Sequence, residues 1–175
     1  MKYFYKFLSV IAIVTLLAGC AKEQSSFKIE DIQGSAIIKG KIQYNAGYSY
    51  DYDEGKVITS DIRPLANHVV YAEITNSSLR YGAEGVTVLQ VSTDANGNYT
   101  LYIPATYEGT DVKVYPKAFT TIYRTGIDGY DELGNPIFKG VEALFEGTKK
   151  TFSGLCPNDI KFYDSTLTYS SLRTN

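Results

Sequence analysis

Apolar residues recur at every second position in run after run along this chain, the period at which a strand sends alternate side chains to one face. In "SAIIKGKIQY" (35–44) Ala36, Ile38, Ile42 and Tyr44 fall on one face, and Lys39, Lys41 and Gln43 with Ile37 on the other. "HVVYAEIT" (68–75) aligns Val70, Ala72 and Ile74, and "VTVLQVST" (86–93) aligns Leu89 and Val91. "NYTLYIP" (98–104) does so for Tyr99, Leu101 and Ile103, and "TDVKVYP" (110–116) sets Val112 and Val114 against Asp111, Lys113 and Tyr115. Further strands are predicted in "TTIYRTG", "PIFKG", "KKTFSG" and "DIKFYDSTLTYS". No helical period is found after residue 20. Seven or more short strands with one apolar face each predict an all-β fold, an antiparallel β-sandwich whose two sheets bury their inner faces.

Between two of these strands lies "VSTDANGNYTLYIPA" (91–105), rich in residues that bond their own backbone or tolerate left-handed conformations. Asp94-Ala95-Asn96-Gly97 is therefore read as a hairpin turn. Calcium is the rival reading, because Asp94, Asn96 and Asn98 have the odd spacing of an EF-hand loop. The loop pattern fails at its sixth position, Tyr99 instead of Gly, and at its twelfth, Ala105 instead of Glu. No metal site is expected there.

Composition agrees with many strands and turns: sixteen Tyr and fifteen Gly stand beside no Trp. The first twenty residues, "MKYFYKFLSVIAIVTLLAGC", form a separate element. Lys2 and Lys6 precede an apolar run from Phe7 to Leu17, too short for a comfortable membrane span but suited to a signal-peptide core. "LAGC" resembles the lipobox of bacterial lipoproteins, and by that resemblance Cys20 is the lipidated first residue of the mature chain. The implied organisation is a signal peptide over 1–19, a lipidated tether over 20–34 and one sandwich domain over 35–175. Acyl chains on Cys20 would hold the protein to a membrane without a spanning helix. The "CAKE" start partly resembles signals that export lipoproteins to the surface of Gram-negative cells. The location expected is the outer membrane, with the surface or periplasmic side left open.

"GKI" at 40–42, "RPLANHVVYAEI" at 63–74, "VSTDANGNYTLYIP" and "GTDVKVYP" at 109–116 together resemble the carboxypeptidase regulatory-like, transthyretin-like β-sandwich, over about half the chain. Thr93, Asp94, Gly97 and Tyr99 carry the resemblance best. It implies an accessory or scaffold domain with no shared catalytic residues. Two segments depart from the pattern, 45–61 and 119–153, and loops on a rigid sandwich are where recognition is expected. In the first, Tyr44, Tyr48, Tyr50 and Tyr52 alternate with Asp51, Asp53 and Glu54. Tyr48, Tyr50 and Tyr52 are the candidate ligand contacts, rings stacking on sugar while carboxylates accept hydroxyl hydrogen bonds. A solvated loop without a ligand explains the same residues. The second segment is read as a long hairpin with Asp131, Gly134 and Asn135 at its tip and with Tyr130 and Phe138 as surface aromatics.

Catalysis finds little material. His68, the sole histidine, precedes a strand and has no nucleophile in a recognisable motif. No enzyme activity and no cofactor are expected. Cys156 is left as a lone thiol, read as a small buried hydrophobe, so no intramolecular disulfide can form once Cys20 is lipidated. A net charge of −2 with no basic stripe argues against nucleic acid. Asp164-Ser165-Thr166 resembles a short bacterial O-glycosylation acceptor. The expected role is a lipid-anchored, non-catalytic binding or scaffold module, in an outer-membrane uptake or assembly complex. The alternatives are a surface glycan-binding or adhesion module and a pilus-type subunit, although the first arginine, Arg63, lies inside the domain, where cleavage would not free a strand groove.

Overall fold

The computed structural model describes residues 28–173. The signal segment over 1–19, Cys20 with its expected lipid, and the tether up to residue 27 lie outside the described residues. The chain runs through β1 (Ser35–Asn45), β2 (Ser49–Asp51), β3 (Lys56–Ile58), β4 (Ile62–Pro64), β5 (Val69–Thr75), the short helix α1 (Asn76–Leu79) and β6 (Val86–Ser92). It continues through β7 (Asn98–Pro104), β8 (Thr110–Pro116), β9 (Phe119–Tyr130), β10 (Pro136–Phe145), β11 (Lys150–Leu155), β12 (Ile160–Phe162), β13 (Ser165–Leu167) and β14 (Tyr169–Arg173). The expectation of no helix past residue 20 is corrected by α1 and by a 3-10 turn at Ile29–Asp31. Both are single turns, too short to leave a 3.6-residue period in the sequence.

Two sheets form the sandwich-like body. One is built around β1, whose first half pairs with β7 and β12 and whose second half pairs with β4 and β13. The other has the order β11-β8-β5-β6, antiparallel throughout. Alternation places Ala36, Ile38 and Ile42 of β1 and Tyr99, Leu101 and Ile103 of β7 in one apolar cluster with Val70, Ala72 and Ile74 of β5 and Val112 and Val114 of β8. Burial of the isoleucine, leucine and valine side chains among them, about 1.5–3 kcal/mol each, is the main term holding the layers together. Ile29 and Ile32, from the segment read as a tether, rest against the same cluster.

The wholly antiparallel expectation needs correction: β12 and β13 run parallel to β1. They are one strand in a single register, broken at Tyr163 and Asp164, where Asp164 Oδ1 accepts the Lys41 N–H at 2.7 Å in place of a backbone carbonyl. Gly40 is required opposite that break, since a Cβ there would lie 1.8 Å from the Tyr163 carbonyl oxygen. A third, smaller sheet, β14-β10-β9, carries a long hairpin, and β2 and β3 pair as a short one.

The 94–97 turn is a turn as expected, but not a hairpin between paired strands. β6 pairs with β5 in one sheet and β7 with β1 in the other, so the turn is an arch that carries the chain across the core. Strands with alternating apolar positions suit a hairpin or an arch equally, and local sequence does not choose between them.

Candidate functional site

The residues that make the arch conspicuous in the sequence are occupied in folding. Asp94 Oδ1 accepts the N–H groups of Asn96 and Asn98, each at 2.8 Å, and Oδ2 accepts the Asn98 amide at 3.1 Å. These donors, the Asn98 side chain first, hold the Asp94 carboxyl below the usual carboxylate range. Buried Thr93 donates to the Leu65 carbonyl at 2.5 Å and accepts the His68 N–H at 2.9 Å, pinning the loop that leads into β5. Tyr99 donates its hydroxyl to the Tyr163 carbonyl at 2.8 Å, and burial raises its phenol pKa well above the ordinary value. Thr93→Val should lower stability by about 2 kcal/mol, because it leaves a buried carbonyl and a partly buried N–H without partners. Urea unfolding would measure it, and a loss within experimental scatter would deny Thr93 this role.

The two departing segments, separate in sequence, meet in space. Ala46 donates to the Asp61 carbonyl and Asp61 to that of Gly47, each at 2.8 Å, so β2 and β3 project from a clamped base. Gly47 then pairs with Arg124 of β9: the Arg124 N–H donates to Ala46 O at 3.0 Å, and the Tyr48 N–H to Arg124 O at 3.0 Å. Gly47 sits at φ +85°, and a Cβ there would lie 2.1 Å from the Arg124 carbonyl oxygen. Glycine is the residue that admits this approach.

An open cleft of about 360 Å³ lies at the junction, lined by Ser49, Tyr50, Tyr52, Arg63, Arg124, Pro136 and Phe138. Tyr50 and Tyr52 meet edge to face at 5.0 Å between centroids, and Tyr52 is 74% exposed. Tyr48, the third expected contact, is not among the residues lining the cleft; its ring lies 6.5 Å from Phe138. Tyr44 is not part of the cleft; it packs edge-on against Phe119 and Phe145 in the interior. Of the surface aromatics expected on the long hairpin, Phe138 lines the cleft and Tyr130 stands 66% exposed near the tip.

The polar groups of this cleft differ from those expected. Asp51 Oδ1 accepts the N–H groups of Asp53 and Glu54, and Glu54 pairs with Lys56, so these carboxylates organise the β2–β3 turn. The charged side chains lining the cleft are two arginines. Asp61 Oδ2 takes Arg63 Nε at 2.8 Å and Nη2 at 2.7 Å, and stands 3.9 Å from Arg124 Nη1. Hydrogen bonding to Asp61 raises the Arg63 pKa further above its already high value. Arg124 Nη1 also donates to the Tyr48 carbonyl at 3.2 Å, with the guanidinium carbon 6.0 Å from the Phe138 ring centre. Sequence reasoning missed Arg63 and Arg124. The signal within reach was Asp61 and Arg63, two apart and therefore on one face of a strand.

Elsewhere, on the outer face of the second sheet, Tyr115 donates to Glu73 at 2.5 Å while Lys149 Nζ lies 4.1 Å over the Tyr115 ring and 3.3 Å from Glu73. Donation to Glu73 pushes the Tyr115 phenol up to about 12, and the Glu73 carboxyl is lowered by the same bond. The contribution of Tyr115 to stability is therefore complete below pH about 10 and is lost as pH rises toward 12; that of Glu73 is present at neutral pH and lost on acidification. In an alkaline titration followed by phenolate absorbance, Glu73→Gln should move one late-ionising tyrosine to an earlier pH. An unchanged curve would contradict the pairing.

His68 sits before β5 with Nε2 2.6 Å from the Lys117 carbonyl and its ring against Phe119. Cys156 is half-buried, not buried as expected, with Sγ facing the carbonyls of Tyr107 and Gly154. Ser165 and Thr166 lie in β13, paired with β1. Among the described residues no group of three or more His, Cys, Asp or Glu side chains gathers as a metal site would require.

No protein-family model and no curated protein matches the chain. Among solved structures, the major plantain pollen allergen Pla l 1 superposes with a TM-score of 0.37 at 13% identity, over 77% of this chain and 92% of that one. A superposition at that level carries no inference about fold or function.

Proposed function

We propose that this chain is a lipid-anchored, non-catalytic binding module of the cell envelope, tethered to the outer membrane through Cys20. In this reading the sandwich-like body is of the transthyretin-like kind and serves as a rigid platform. Thr93, Asp94, Gly97 and Tyr99, the residues that carry the resemblance, are all committed to folding. The ligand is taken where the two departing segments converge.

The observation that supports this best is the cleft itself. Half-buried Tyr50 and exposed Tyr52 from one segment, and Phe138 and the Arg124 guanidinium from the other, line a single, largely polar concavity, where rings and hydrogen-bonding groups converge as a polar ligand requires. Among the roles considered, that composition favours a glycan-binding module over a scaffold.

Anchoring is tested by metabolic labelling with a tagged fatty acid: label should be incorporated by the natural protein and absent from Cys20→Ala. Equal labelling of both would remove the anchor. Binding is tested by affinity electrophoresis on a panel of polysaccharides, where Tyr50→Ala combined with Tyr52→Ala should abolish any retardation. Retardation that survives in the double variant would move the site elsewhere.

A further inference from the structure

The geometry points to an acidic sugar, one bearing a carboxylate on its ring, as the ligand of the Tyr50–Tyr52–Arg63–Arg124–Phe138 cleft; this rests on reading the cleft as the binding site. Three features carry it. First, the charged side chains lining the cleft are both guanidiniums, while the nearby carboxylates of Asp51 and Glu54 are turned to their own hairpin. Second, the two arginines share one carboxylate. Asp61 takes both of its close bonds from Arg63 and stands 3.9 Å from Arg124, so the group as a whole keeps one positive charge. Third, Arg124 is held but not used up. Its Nη1 is fixed by the Tyr48 carbonyl and its plane rests near Phe138, while Nη2 has no acceptor among the described residues.

A guanidinium held in this way presents its remaining N–H donors in a fixed plane, the arrangement that a carboxylate matches. The anchoring contacts lower the entropy lost when a ligand docks, since the side chain is already placed. Tyr50 and Tyr52 supply what the rest of a sugar needs. The C–H bonds of a pyranose face are apolar, and they pack on tyrosine rings whose faces carry negative charge density. A neutral sugar would use the rings and leave the group's net positive charge unmatched. A uronic acid uses both.

The test compares two polymers of one backbone, polygalacturonate and its fully methyl-esterified form, in affinity electrophoresis of the full-length protein in detergent. We expect retardation by polygalacturonate and roughly tenfold or greater weakening with the ester, the range set by one charge-assisted hydrogen-bonded pair. Arg124→Gln should weaken retention of the acid to a similar extent, with thermal unfolding confirming an intact fold. Because β9 is joined to Gly47 through the Arg124 backbone, the side-chain change leaves that pairing in place. Lys113→Gln, on β8 in the other sheet, should leave retention unchanged.

Equal retardation by acid and ester that depends on Tyr50 and Tyr52 would overturn the acidic-sugar assignment while the cleft stands as a glycan site. An equal loss in Lys113→Gln and Arg124→Gln would make general charge the cause and also overturn it. Retardation by neither polymer would overturn it together with the choice of this sugar backbone.

Discussion

Gly97→Ala is expected to cost the fold roughly 3 kcal/mol or more, against about 1 kcal/mol for Gly134→Ala, although the two glycines occupy the same local motif. Asp94-Ala95-Asn96-Gly97-Asn98 and Asp131-Glu132-Leu133-Gly134-Asn135 make the same bonds. In each, the Asp Oδ1 accepts two backbone N–H groups, Oδ2 accepts the Asn amide, and the glycine N–H returns to the Asp carbonyl. Both glycines are left-handed, at φ +80° and +83°, so an added Cβ strains both alike. The surroundings differ. A Cβ at Gly97 would lie 2.3 Å from the Ile42 carbonyl oxygen, backbone that is itself bonded to Leu65, while at Gly134 nothing is within 4 Å. Urea unfolding of the two variants measures the difference. Equal losses would mean that the arch can shift to admit a methyl group, contrary to the packing described.

The second large effect is expected at Phe145, where Phe145→Ala should destabilise by about 3–5 kcal/mol. Its side chain is fully buried, stacked on Phe119 at 5.1 Å between centroids and met edge-on by Tyr44 at 5.6 Å. Phe145 ends β10 and Phe119 begins β9, so this aromatic group joins the root of the long hairpin to the sandwich-like core. Truncation leaves a cavity that strands on three sides cannot readily close. Hydrogen exchange should then rise first in β9 and β10, and by the same link the cleft, which borrows Arg124 and Phe138 from that hairpin, should lose its shape. Phe162→Ala, at a 70% exposed ring, is the control, expected within about half a kcal/mol of the natural protein. A loss at Phe145 no larger than at Phe162 would show that the hairpin is held by other contacts.

Alternation in the sequence was enough to identify the longer strands and most of the core, but β2 and β3, inside the segment read as an insertion, were not read as strands. Ala36, Ile38, Ile42, Val70, Ala72, Ile74, Leu101, Ile103, Val112 and Val114 are all buried as their two-residue period requires. The same reasoning left out Ala143, Phe145, Leu155 and Leu167, which belong to the core. β10 and β13 each send few residues inward, and their burial patterns are too short or too broken to show a period. The turn residues were legible too, because Asp, Asn and Gly act through bonds to their own neighbours.

Local chemistry, then, is what this sequence determines by itself: which of the longer segments are strands, where the chain turns, and which face of those strands must leave water. Partner choice was decided only in three dimensions. Whether a turn is an arch or a hairpin, whether β12 and β13 run parallel to β1, and whether Arg124 meets Tyr48 all depend on contacts between residues far apart in the chain. Such contacts leave no local pattern, because the loop-closure and packing terms that select them belong to the whole chain. The cleft is the clearest case. Two of its rings were visible in the spacing of Tyr50 and Tyr52, while its cationic half came from β4 and β9, the latter brought there by a glycine that lets two backbones touch.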